Sequence, residues 1–181
     1  RERVLPAELG LERGGYVVTT LHRPSNVDDP GALRAVLEAL GHISVRKPVV
    51  FPVHPRTRKN AAALGLDGQF DRFRLLEPVG YLDMLALTDG AAVVLTDSGG
   101  LQEETTALGI PCVTLREQTE RPVTVTEGTN RLAPWPVFTA WVEKSFVQAL
   151  ASRGRPARIP EGWDGRAAER IVAALAARSG G

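Results

Sequence analysis

The sequence predicts an α/β fold, a parallel sheet covered by helices on both faces, and three observations carry that expectation. Short, branched apolar runs of strand length recur along the chain, each bounded by turn residues. Between them lie segments with apolar residues at helical spacing. Polar residues cluster directly after the apolar runs, where loops at the carboxyl ends of parallel strands hold ligands.

Residues 1–15 read as a polar lead-in, and Tyr16 to Leu21 (YVVTTL) as the first buried strand. Asp29-Pro30 opens a helix, Asp as N-cap and Pro at the first helical position. Leu33, Val36, Leu37, Leu40 and Ile43 then form its apolar face. Val49 to Val53 is the second strand, Arg56 to Leu64 a helix, and Phe73 to Leu76 the third strand. Tyr81 to Leu87 is helical, and the apolar run from Ala91 to Leu95 is a further buried strand. Leu101, Thr105 and Leu108 share one face of the next helix, which stops at Gly109 with Pro111 beyond. Pro111 to Leu115 is a strand, followed by a loop and a short strand near Arg131. Phe138, Trp141, Val142, Phe146 and Leu150 mark another helix. Ser152 to Gly162, rich in Arg and Pro, is a linker, and Ala168, Ile171, Val172 and Leu175 make the last amphipathic helix.

Composition narrows the function classes. The 181 residues suit one ordinary domain, and 43% hydrophobic residues supply a core. Lys+Arg 22 against Asp+Glu 21 leaves a net charge of +1, which calls for neither nucleic acid nor an anionic membrane. No apolar run reaches membrane-spanning length, and the opening residues lack signal-peptide anatomy. The single cysteine, Cys112, reads as a buried, inert thiol, so a cytoplasmic setting is expected. The three histidines and one cysteine match no zinc spacing, and no metal is expected.

The stretch from Ala91 to Arg131 organises the chain. Its buried strand breaks at Asp97-Ser98-Gly99-Gly100, where two glycines are expected to let the backbone turn tightly and approach a ligand. A helix starting there points free N–H groups and a positive dipole end at an anion. Arg116 and Arg121 then offer two guanidiniums suited to bidentate phosphate contacts. The pattern reads as half of a nucleotide-diphosphate site, with a purely structural turn as the alternative at this point. His22-Arg23 follows the first strand and His54-Pro55-Arg56 the second, on the same rim. Glu103 and Glu104 leave their helix roughly 100° apart and cannot act as a pair. Glu103 is expected to be a first-turn acid on the helix dipole.

The full string is specific. Asp97-Ser98-Gly99-Gly100-Leu101-Gln102-Glu103-Glu104, Gly109-Ile110-Pro111, Arg116, Thr119-Glu120-Arg121-Pro122 and Gly128-Thr129 resemble the non-hydrolysing UDP-N-acetylglucosamine 2-epimerases. The resemblance covers nearly all 181 residues but only the C-terminal half of that family's chain. It departs at Pro24-Ser25, where members carry an acidic residue before Asn26, at Val123, and at Trp163-Asp164-Gly165.

The resemblance implies a Rossmann-like domain over 1–162, the C-terminal domain of a two-domain GT-B-type enzyme, with a crossing helix over 163–181 that packs on an N-terminal domain. It implies interconversion of UDP-N-acetylglucosamine and UDP-N-acetylmannosamine by elimination and re-addition of UDP, without a cofactor. It makes His54 the catalytic candidate, able to donate to the leaving oxygen, and makes His22, Arg23, Met84, Ser98, Gly99, Gly100, Glu104, Arg116 and Arg121 the UDP contacts. Glu104 takes the ribose and Met84 replaces an aromatic residue near the uracil. The acids that move the C2 proton belong to the N-terminal half, and the full-length enzyme is implied to be a homodimer. Two other readings stay open: a GT-B-type glycosyltransferase using a UDP-sugar, and a stand-alone nucleotide-binding module.

Overall fold

The computed structural model describes residues 5–133, 138–152 and 159–179. Among the described residues six strands form one sheet: β1 (Val17–Thr20), β2 (Val49–Pro52), β3 (Arg74–Leu76), β4 (Val93–Thr96), β5 (Cys112–Thr114) and β6 (Asn130–Leu132). All neighbours pair in parallel, in the order β3-β2-β1-β4-β5-β6. The order reverses between β1 and β4, which pair from Val17 with Val93 to Thr20 with Thr96. In open parallel sheets such a reversal leaves a crevice at the strands' carboxyl ends.

The helices are α1 (Leu5–Glu8), α2 (Pro24–Val27), α3 (Pro30–Ser44), α4 (Pro55–Ala63), α5 (Tyr81–Gly90), α6 (Gly99–Leu108), α7 (Pro122–Thr126), α8 (Phe138–Ser152) and α9 (Ala167–Ser179), with a 3-10 turn at Asp67–Arg72. Strand side chains alternate between the two layers. Val17, Val49, Phe51, Val93, Leu95 and Val113 belong to one core with Leu33, Leu37 and Leu40 of α3 and Val142 and Phe146 of α8. Val18, Val50 and Val94 belong to the other, with Tyr16, Leu87 of α5 and Ile110. Each fully buried Leu or Phe contributes about 1.5–3 kcal/mol relative to exposure, so these two layers hold the rim in place.

The local signals decide the helix ends. Asp29 caps α3, its Oδ1 accepting from the Ala32 N–H at 2.7 Å, and Pro30 follows at the first helical position. Gly109 ends α6 at φ 69°, the left-handed conformation that glycine adopts without steric cost.

Three expectations need correction, and a 3-10 turn stands where no element was expected. The lead-in holds α1, whose Leu5, with Leu9 and Leu11, packs against the Tyr16 and Leu87 core. The Pro24-Ser25 tip is the start of α2 rather than open loop. The 3-10 turn exists because Phe70, with Phe73, packs edge-on against Phe51, at centroid distances of 5.9 and 6.3 Å. Short α7 follows Arg121, where loop was expected. The side chains of Phe138 and Trp141, and residues 153–158 of the expected linker, lie outside the described residues. Among the described residues no helix is long and apolar enough to cross a membrane.

Candidate functional site

The rim is built around a carboxylate. Asp97 directly follows β4 and is fully buried. A bare carboxylate there would be prohibitively costly, and four donors from the segment after β1, one of them on α2, surround it. The His22 N–H donates at 3.0 Å, the Arg23 N–H at 2.9 Å and Asn26 Nδ2 at 3.1 Å. The His22 ring adds Nδ1 at 2.8 Å. Asn26 Nδ2 also donates to the Leu115 carbonyl at 2.9 Å, so one amide ties the ends of β1, β4 and β5 together. Burial pushes the Asp97 carboxyl up, but the His22 ring and the N–H groups of Arg23 and His22 outweigh it and hold it below its ordinary range. The same hydrogen bond, donated by the His22 ring to Asp97, holds the His22 proton affinity above the ordinary histidine range, against burial and the nearby Arg23 and Arg116.

His54 faces His22, the ring centroids 6.1 Å apart. As N-cap of α4 it accepts the Arg56 N–H on Nδ1 at 3.2 Å, so a neutral ring carries its proton on Nε2. Between the histidines lies a cleft of about 180 Å³ whose walls include Pro52, Pro78, Val79 and Met84. Its apolar walls and two polar ring edges suit a small, flat ligand group. A larger open groove along α4 is a different matter, since its Arg56 is held by Asp28.

At the start of α6 the hydrogen bonds are unevenly distributed. The Ser98 N–H donates to Thr96 Oγ1 at 3.0 Å, and the Ser98 side chain makes no capping bond. Among the described residues no acceptor lies on the N–H groups of Gly99 and Gly100. Neither glycine has a positive φ, so the short turn from β4 into α6 needs no backbone conformation reserved for glycine. Their contribution is clearance, because a Cβ on Gly99 would meet nothing within 4 Å. An open helix start of this kind attracts an anion.

Three guanidiniums flank it. Arg23 Nε is buried without a hydrogen-bond partner among the described residues. Arg116 is gripped by both Glu120 oxygens, at 2.8 and 2.6 Å. Arg121 Nε lies 2.8 Å from Glu103 Oε1 without the alignment of a hydrogen bond. Glu103 departs from its expected role: α6 has no acid in its first turn, and Glu103 pairs with Arg121 instead. Glu104 accepts no hydrogen bond among the described residues. Burial and the adjacent Glu103 push its carboxyl up, which leaves it suited to hydroxyl donors. Cys112 is remote in chemistry as well as place, burial pushing its thiol up to about 11.

The structure thus brings His22, His54 and Met84 to one cleft and Arg23, Arg116 and Asp97 beside it. Two sets of residues escaped the sequence reading. Asp97 and Asn26 carry the β1 loop, and buried Gln102 and Asn130 carry the Arg116–Arg121 loop. Thr119 Oγ1 donates to Gln102 Oε1 and accepts the Arg121 N–H at 3.0 Å. Asn130 Nδ2 donates to Gln102 Oε1 at 3.2 Å and to Thr124 Oγ1 at 3.1 Å. The one signal available was Asp97 itself, an acid placed immediately after a strand with no exposed position.

Sheet order, crevice and open helix start define a Rossmann-like α/β domain of the kind that forms one lobe of GT-B-type enzymes. The chain belongs to the UDP-N-acetylglucosamine 2-epimerase family, whose model matches residues 2–176. It is 44% identical over 123 residues to a UDP-N-acetylglucosamine 2-epimerase of Methanococcus maripaludis, covering 65% of this chain and 34% of that one. It is 47% identical over 126 residues to the UDP-2,3-diacetamido-2,3-dideoxy-D-glucuronate 2-epimerase of Pseudomonas aeruginosa, covering 68% and 35%. The Methanocaldococcus jannaschii UDP-GlcNAc 2-epimerase, solved in complex with UDP-GlcNAc and UDP, superposes with a TM-score of 0.83 at 36% identity. That match covers 97% of this chain and 49% of the solved one, so the chain spans between a third and a half of these relatives.

Proposed function

We propose that this chain is the UDP-binding half of an epimerase that interconverts UDP-N-acetylglucosamine and UDP-N-acetylmannosamine. The observation that carries the reading is the uncapped start of α6, with free Gly99 and Gly100 N–H groups beside Arg23 and the His22–His54 cleft. In the reaction the C2–H and C1–O bonds break, UDP departs, a C1–C2 double bond forms, and UDP adds back after a proton returns to the opposite face. Charge develops on the β-phosphate as UDP leaves, and fixed donors already aimed at it lower that barrier without reorganising. Gly99, Gly100, His22, Arg23, Arg116 and Arg121 supply such donors, and His54 donates from Nε2 to the departing oxygen. Glu104 takes the ribose hydroxyls and Met84 covers the base.

The groups that move the C2 proton lie on an opposing domain, and residues 163–181 form the helix that crosses to it. The complete enzyme is a cytoplasmic homodimer in this proposal. One observation favours a second sugar: the Pseudomonas aeruginosa relative is named for a diacetamido glucuronate. The test is in two parts. NMR titration of this chain with UDP should shift His22, His54 and Gly99-Gly100, and shifts confined to another surface would sink the assignment. The full-length enzyme is then given each UDP-sugar separately, and the product's C2 configuration is read by NMR.

A further inference from the structure

We propose that Asp97 is a positioning residue that keeps His22 as an Nε2–H donor at the rim and fixes the His22-Arg23 backbone beside the start of α6. Its consequence for UDP rests on the function proposed above. The starting observation is a mismatch of charge: a fully buried carboxylate lies beneath a rim suited to anions. Backbone N–H groups and the Asn26 amide would be served equally by a neutral acceptor. The His22 ring is what calls for a carboxylate, because Nδ1 at 2.8 Å is the one partner that can carry charge.

The geometry has a definite chemical result. With Nδ1 tied to Asp97, a neutral His22 would keep its proton there and turn a bare Nε2 lone pair outward. That nitrogen would repel a phosphate oxygen. Only the imidazolium donates from Nε2, so the site works as an anion site while His22 is protonated. Arg23 on the same loop and Arg116 from the loop after β5 both oppose that proton. His54 from the loop after β2 adds a second ring at 6.1 Å, and Glu120 lies toward Arg116 and Arg23. The Asp97 bond outweighs the two guanidiniums and raises the proton affinity of His22.

The test reads the imidazole nitrogens of the 181-residue chain by NMR from about pH 5 to about pH 8, without ligand. The wild type should show His22 titrating above the ordinary histidine range, with its neutral form protonated on Nδ1. A neutral form protonated on Nε2 overturns the proposal, whatever any variant does. In Asp97→Asn, His22 should titrate at lower pH than in the wild type, and an unchanged midpoint overturns the proposal. UDP affinity is then compared between Asp97→Asn and wild type at each pH, a ratio in which UDP's own phosphate titration cancels. The ratio of variant to wild-type affinity should be smaller by about tenfold between the two His22 midpoints than below both, the loss of one charge-assisted hydrogen bond. A ratio flat with pH overturns the role in binding. If wild-type UDP binding fails while His22 titrates as expected, the nucleotide reading falls and the Asp97–His22 relationship stands.

Discussion

Glu120 holds Arg116 through both terminal nitrogens, at 2.8 and 2.6 Å, so this rim arginine already has a carboxylate partner. Arg116 draws the Glu120 carboxyl down to about 2. A depressed acid contributes stability that is complete above its ordinary value of 4.5 and is lost as pH falls toward about 2. Glu120 is exposed, so salt screens much of the effect. Carboxyl NMR should find Glu120 titrating near 2 in the wild type and near its ordinary value in Arg116→Gln. The same pairing predicts that Glu120→Gln strengthens UDP binding, because Arg116 is then free for phosphate. Weaker binding would mean that Glu120 orients Arg116 instead of competing for it.

The two adjacent acids of α6 should separate on mutation. Glu103 serves Arg121, whereas Glu104 accepts no bond among the described residues and is poised for donors from a ligand. Glu104→Gln should weaken UDP binding by about 1.5–3 kcal/mol, the range for a hydrogen bond to a charged group. Glu103→Gln should cost much less and act through Arg121. Calorimetry that finds equal losses, or the reverse order, would reject the ribose role of Glu104.

This chain alone should leave the sugar unchanged. It offers contacts for phosphate and leaving oxygen, and in the proposed reaction the C2 proton is moved by groups on another domain. Incubation with UDP-N-acetylglucosamine in heavy water, followed by NMR, should show no deuterium at C2. Incorporation would reveal a complete site within these residues.

The last helix stands apart energetically. Ile171, Val172 and Leu175 are 59%, 65% and 60% exposed, on a helix fixed at its start by the Asp164 carboxylate accepting from the Arg166 N–H. Burying the three against the proposed opposing domain would contribute about 1.5–3 kcal/mol each. Removing residues 163–181 should therefore leave the melting temperature and UDP affinity of this chain nearly unchanged. A truncated chain that unfolds would show that α9 belongs to the core.

Legibility followed the range of the interactions. Asp29-Pro30 and Gly109-Ile110-Pro111 announce helix ends because caps act within a few residues. Alternating strands and helices disclosed the sheet, and glycines after β4 disclosed the helix start. Helix α2 gave no signal, being four residues long and held by Asn26 bonds to Asp97 and Leu115, 71 and 89 positions away. The Gln102–Asn130 pair was equally hidden, since two amides 28 residues apart carry no local pattern. The resemblance supplied roles for Glu104 and Met84 that spacing alone did not.

The reversal of strand order has a consequence for how the domain forms. Asp97 meets His22 across 75 positions of chain, and the two come together only when β1 pairs with β4. During synthesis the His22 loop emerges long before its carboxylate, and β2, β3 and the four helices α2 to α5 must be made in between. Contacts of such separation form at high loop-closure cost and characteristically late. A chain in which β1 and β4 have not paired therefore has the glycines and arginines but no anchored rim, so nucleotide binding becomes a report on completed assembly of the sheet's centre.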